Sequence, residues 1–232
     1  MAEIIFITGG CRSGKSAYAQ KLAEALAGPR AFVATCPILD DEMRDRIRKH
    51  RRARQKRRWR TIEEPVDLPG ALRSAKKFKV VLVDCLTLWI NNLMYEAEKR
   101  GKTISEESVA LLCKRLLTAC REHPGMIIFV TNEVGMGIVP ENPVCRLFCD
   151  LAGRCSQIIA QASNRMVLMV CGQPFELKKE TEPSHGIPFK GWGAHAARVL
   201  KIGGSPIFQR TAVWRAAKRD TRAACAPRTE KP

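Results

Sequence analysis

One stretch constrains this chain more than any other: Gly9-Gly10-Cys11-Arg12-Ser13-Gly14-Lys15-Ser16. An apolar run, Ile4-Ile5-Phe6-Ile7, precedes it, and a helical pattern follows. Glycine, four residues, then Gly-Lys-Ser is the spacing of a phosphate-binding loop. Glycines let the backbone curl so that successive N–H groups point at phosphate oxygens. The helix that starts at the loop adds unpaired N–H groups and the positive end of its dipole. This reading gives Lys15 the β- and γ-phosphates of a nucleoside triphosphate and Ser16 a Mg²⁺ ion. It also requires a strand before the loop and a helix after it.

The rest of the chain supplies matching elements. Short apolar strands are expected over 3–8, 31–35, 79–84, 126–131 and 166–171, with helices over 15–27, 86–100, from Ser105 to Cys120 and from Pro143 to Ile159. Ser105 and Asn142-Pro143 are good helix starts, a capping side chain followed by acids or a first-turn proline. Gly172-Gln173-Pro174 is read as the end of the fifth strand. Five alternations predict an α/β fold: a P-loop NTPase (RecA-like) with a mostly parallel sheet flanked by helices. Val80 to Asp84 is an apolar strand ending in an acid, the pattern of the second motif of such sites, where Asp84 holds Mg²⁺ directly or through water. Thr131-Asn132-Glu133 ends the fourth strand where ligands bind in open parallel sheets.

The segment 43–60 is unusually basic. As a helix it places Met43, Ile47 and His50 on one narrow face, so His50 points toward the protein body. Asp40-Asp41-Glu42 puts negative charge where that helix would begin. From Lys179 the alternation stops, so residues 1–178 are expected to form the P-loop domain and 179–232 a basic, poorly ordered extension. Ten cysteines without a Cys-x-x-Cys pair predict reduced thiols in a cytoplasmic protein, and neither a signal peptide nor a membrane span is expected.

Several stretches together resemble one family: GGCRSGKS (9–16), ATCPILDDEMRDRIRKHRRAR (34–54), WRTIEEP (59–65), VLVDCLTLW (81–89) and VTNEVGMGIVPENP (130–143). They run in the order of the bifunctional adenosylcobinamide kinase/adenosylcobinamide-phosphate guanylyltransferases of cobalamin biosynthesis, over about residues 3–178. DLAGRCSQ (150–157) matches in part, with Ser156 where the family usually has Asn.

The resemblance implies two reactions. A nucleoside triphosphate, ATP or GTP, phosphorylates the aminopropanol hydroxyl of adenosylcobinamide. GTP then guanylylates adenosylcobinamide phosphate through GMP bound covalently to a histidine, here His50. The family's nucleotide contacts fall on Gly9, Gly10, Cys11, Arg12, Ser13, Gly14, Lys15 and Ser16; on Ala34, Thr35 and Cys36; on Arg51, Arg52, Ala53 and Arg54; and on Glu63 and Asp84. The chemistry agrees: neutral imidazole is the nucleophile, and neighbouring arginines disfavour its protonated form while neutralising the triphosphate. Family members assemble as homo-oligomers, typically trimers.

Two other readings stay open on sequence alone. One is a different P-loop small-molecule kinase, needing only Lys15, Ser16 and Asp84. The other is a RecA-like ATPase that binds nucleic acid. The net charge of +17 favours the latter, but 6% aromatic content and the lack of a recognition motif argue against a nucleic-acid partner.

Overall fold

The structure, a computed structural model, describes residues 2–37, 48, 52, 54–55 and 57–178. Its centre is a seven-stranded sheet in the order β3-β2-β4-β5-β1-β6-β7. The strands are β1 (Glu3–Gly9), β2 (Arg30–Ala34), β3 (Trp59–Glu63), β4 (Val80–Asp84), β5 (Met126–Val130), β6 (Arg165–Val170) and β7 (Gln173–Lys178). All neighbouring pairs from β3 to β6 are parallel, and β7 alone runs antiparallel. The helices are α1 (Lys15–Glu24), α2 (Leu68–Ser74), α3 (Leu86–Glu98), α4 (Glu106–Arg121) and α5 (Pro143–Ala162). This is the expected α/β arrangement, a mostly parallel sheet flanked by helices, with one strand, β5, between the loop-bearing β1 and the acid-bearing β4.

The central strands are apolar on both sides because helices cover both faces. Ile5, Ile7, Leu82 and Ile128 pack with Ala19 and Ala23 of α1 on one face. Ile4, Phe6, Val81, Val83, Ile127 and Phe129 pack on the other against Leu72, Trp89, Leu116, Leu151 and Ile159 of α2 to α5. The α4 stripe of Val109, Cys113, Leu116, Leu117 and Cys120 is buried, as its 3.6-residue spacing requires. Each such large aliphatic side chain contributes roughly 1.5–3 kcal/mol on burial. The caps read from sequence form: Ser105 accepts from the Ser108 N–H, and Asn142 accepts from Val144 N–H and Cys145 N–H.

Four elements depart from the sequence expectation. Trp59 and Arg60, placed above in the basic segment, begin β3 instead, which pairs with β2 from Arg30↔Trp59 to Ala34↔Glu63. Trp59 is held there by its Nε1–H bond to Glu24 Oε1 at 2.9 Å and by edge-on contact with Phe32. Helix α2 has only seven residues, too short to leave a periodic signal, and is capped by Asp67. The chain does not stop at Gly172-Gln173-Pro174. Cys171 and Gly172, with φ of 50° and 80°, form a two-residue turn into β7. Pro174 is tolerated because β7 is the edge strand. Helix α1 also ends earlier than expected, at Glu24.

Candidate active site

The sheet pairing lines up one row of residues at the carboxyl ends of the strands. Glu63 stands opposite Ala34, Ala34 opposite Asp84, Asp84 opposite Val130, and Val130 opposite Ile7. The glycine loop emerges from the same edge, two residues beyond Ile7. Glu63, Ala34, Asp84 and the loop residues 9–16, far apart in the chain, therefore share one end of the fold.

Within the loop, Gly10, Cys11, Arg12 and Gly14 are exposed, whereas Ser13 and Lys15 are buried. Lys15 is only 7% exposed and donates from Nζ to the carbonyl oxygen of Gly10 at 2.9 Å. A turn is closed by the Ser13 N–H on Gly10 O at 3.2 Å. Ser13 Oγ is buried with no hydrogen-bond partner among the described residues. The β6–β7 turn clasps the loop from outside, through the Gly172 N–H on Ser13 O at 3.0 Å. Ser16, half-buried, sits in the first turn of α1.

Thr35 and Cys36 follow β2. The Thr35 side chain is wholly buried and committed: its hydroxyl donates to Cys85 O at 2.8 Å and accepts from Cys85 N–H at 2.7 Å. Asn92 of α3 donates to Thr35 O at 2.8 Å and to Pro65 O at 3.0 Å, tying the ends of β2 and β3 to the helix after Asp84. Burial, and then the negative charge of Asp84, push the Cys85 thiol up to about 11.

Of the basic segment, Arg48, Arg52, Arg54 and Gln55 are helical. Arg52 is exposed. Arg54 is 7% exposed, with its guanidinium 3.9 Å from the centroid of the Phe32 ring, a cation–π contact rather than a solvated charge. His50, Arg51 and Ala53 lie outside the described residues, as do Met43, Ile47, the Asp40–Glu42 helix start and the extension from 179 onward.

Three threonines complete the edge: Thr131, placed there by the sequence reading, and Thr8 and Thr87, which it passed over. Thr87 Oγ1 lies 3.0 Å from Thr131 Oγ1 and accepts from the Asn132 N–H at 2.6 Å. Thr8 Oγ1 donates to Glu133 Oε2 at 3.5 Å. Their one sequence signal is position, each lying at or just past the carboxyl end of an apolar strand or at a helix start. His123 is a core residue on the other side of the chemistry: its Nδ1 accepts from Gly125 N–H at 3.0 Å and its Nε2 faces Ala75 O at 3.2 Å. Among the described residues no cluster of three or more His, Cys, Asp or Glu forms a metal cage, and no helix is long and apolar enough to cross a membrane.

Comparison with known proteins identifies the family of the chain. A bifunctional adenosylcobalamin biosynthesis protein CobP of Pseudomonas aeruginosa is 41% identical over 175 residues, covering 75% of this chain and 96% of the relative. The corresponding CobU proteins of Escherichia coli and Salmonella typhimurium are 38% and 37% identical, each over 185 residues, 75% of this chain and 99% of the relative. A crystal structure of the RadB recombinase aligns with a TM-score of 0.42 at 15% identity, over 72% of this chain and 73% of that one, a likeness too low to bear on function. The family model for cobinamide kinase / cobinamide phosphate guanyltransferase matches residues 5–177, and the chain belongs to that family.

Proposed function

We propose that this enzyme carries out both reactions of its family at the edge built by residues 9–16, 34–36, 63 and 84. A nucleoside triphosphate, ATP or GTP, phosphorylates the aminopropanol hydroxyl of adenosylcobinamide. GTP then donates GMP to adenosylcobinamide phosphate through His50, releasing pyrophosphate. The observation that carries this reading is the convergence of the glycine loop, Asp84 and Glu63 on one strand edge in a chain of this family.

The loop's backbone N–H groups and Lys15 Nζ bind the β- and γ-phosphates, with Lys15 aimed by its bond to Gly10 O. The Ser13 hydroxyl, without a hydrogen-bond partner among the described residues, is available to the same oxygens. Ser16 and Asp84 offer one hydroxyl and one carboxylate, a donor set that fits a Mg²⁺ ion whose other ligands are phosphates and water. That ion, when bound, neutralises charge on the transferring phosphoryl group. Thr35 acts by position, fixing the peptide that follows Asp84. Glu63 accepts hydrogen bonds from the guanosine, and Arg51, Arg52 and Arg54 neutralise the polyphosphate side. In the guanylyl half, the His50 imidazole nitrogen bonds the α-phosphorus as the bond to the β-phosphate oxygen breaks. The acceptor phosphate oxygen then displaces the imidazole.

Family likeness points to a small homo-oligomer, a trimer, working in the cytoplasm. The nine described cysteines are all free thiols, in keeping with a reducing compartment. Residues 1–178 form the kinase and guanylyltransferase domain in this reading, and 179–232 a basic extension beyond it.

Incubation with α-labelled and γ-labelled GTP tests the core of this reading. Acid-labile, base-stable label is expected on the protein from α-labelled GTP alone. His50→Ala should lose that label and keep phosphoryl transfer to the corrinoid alcohol. Normal capture of GMP by His50→Ala would reject the intermediate.

A further inference from the structure

The phosphoryl-transfer half-reaction needs a group to take the proton of the attacking alcohol, and nothing above supplies one. Lys15 serves the phosphates, and Ser16 and Asp84 the metal. Glu63 stands at the end of β3, three strands from β5 in the sheet order, roughly 14 Å at the usual strand spacing. A general base must reach within about 3 Å of the proton it accepts.

Glu133 is placed differently. It lies just past β5, the strand between the loop-bearing β1 and the Asp84-bearing β4. Its segment is fastened at three successive peptides: Thr131 N–H to Ile7 O at 3.0 Å, Asn132 N–H to Thr87 Oγ1 at 2.6 Å, and Glu133 N–H to Gly9 O at 3.0 Å. The last bond ties Glu133 directly to the first glycine of the phosphate loop. Its half-buried carboxylate is oriented by the Thr8 hydroxyl at 3.5 Å, and it has no ion pair among the described residues. It is thus a carboxylate beside the phosphate loop, held by a neutral donor and with no cation on its lone pairs among the described residues.

We infer that Glu133 is the general base for phosphoryl transfer, an assignment that rests on the function proposed above. The alcohol O–H bond breaks and its proton passes to a Glu133 carboxylate oxygen. The alcohol oxygen bonds the γ-phosphorus, and the bond from that phosphorus to the β,γ-bridging oxygen breaks. The electron pair leaves with the nucleoside diphosphate. Guanylyl transfer starts from an acceptor that is already a phosphate anion, so it does not use Glu133.

The test compares wild type, Glu133→Gln and Glu133→Asp in two assays: phosphorylation of cobinamide by a nucleoside triphosphate, and guanylylation of supplied cobinamide phosphate by GTP. Glutamine keeps the shape and an acceptor oxygen for Thr8. Glu133→Gln should lower kcat for phosphorylation about 100- to 10,000-fold. The KM for the nucleotide should stay within about three-fold. Glu133→Asp should recover part of the rate, and guanylylation should be unchanged in both variants. Phosphorylation by Glu133→Gln near the wild-type rate, or both half-reactions falling together, would overturn the assignment. A wild-type chain inactive in both assays would overturn the function itself and the base with it.

Discussion

The Thr35 hydroxyl holds Cys85 from both sides, 2.7 Å from its backbone nitrogen and 2.8 Å from its carbonyl oxygen. Thr35 N–H also donates to Asp84 O at 3.2 Å. One side chain just past β2 thus fixes the residue that follows Asp84, the proposed metal ligand at the end of β4.

Thr35→Val keeps the volume and removes the hydroxyl, leaving two buried backbone groups without that partner. Each such group costs roughly 1–3 kcal/mol. A loss of about 2–4 kcal/mol in urea unfolding is expected, together with weaker nucleotide binding as Asp84 loosens. Thr35→Ser should restore most of both. A Thr35→Val chain as stable as wild type would show that the two bonds contribute nothing.

Lys15→Ala removes the one buried cation of the loop and its bond to Gly10 O. Loss of a preorganised donor to developing phosphate charge costs about 100- to 1,000-fold in rate. Phosphoryl transfer should fall by at least that range. Calorimetric titration should show a parallel loss of nucleotide affinity.

Gly14→Ala combines two penalties. The backbone there has φ 92°, and an added Cβ would lie 3.3 Å from the Gly172 Cα. The left-handed conformation alone costs roughly 1–2 kcal/mol for a residue with a Cβ. Relief of the contact must push the β6–β7 turn away from Ser13. Denaturant unfolding should report the first effect, and a raised nucleotide KM the second.

Stability should fall at alkaline pH for a specific reason. Burial, with Asp84 adding, raises the Cys85 thiol from 9.0 to about 11, and burial raises Cys120 to about 12. The unfolded chain therefore loses these protons first, above about pH 9, and binds fewer protons than the folded chain. By linkage, stability is flat for these groups below pH 9 and declines as pH rises toward 11, at up to about 1.4 kcal/mol per pH unit per thiol. Urea midpoints at pH 8, 9.5 and 10.5 measure the slope. Cys120→Ala should flatten it, and an unaltered slope in that variant would refute the assignment.

Local chemistry was enough to read much of the chain. The run Ile4–Ile7 into Gly9–Ser16 specifies strand, loop and helix within a few residues. The caps at Ser105 and Asn142 and the α4 stripe are likewise written in short spacings. The basic run was harder, because Trp59 and Arg60 pair with a strand some thirty residues upstream. β7 was hidden by a proline that only an edge position tolerates.

Sequence by itself determined that this chain has a phosphate loop on an alternating α/β frame, because those features follow from backbone permissiveness and side-chain periodicity over short spans. Only the tertiary structure decided that β5 lies between β1 and β4, that Glu63, Ala34, Asp84, Val130 and Ile7 form one row, and that Glu133 reaches Gly9. Strand order is set by hydrogen bonds and burial between segments far apart in the chain, and such pairings leave no pattern within either segment.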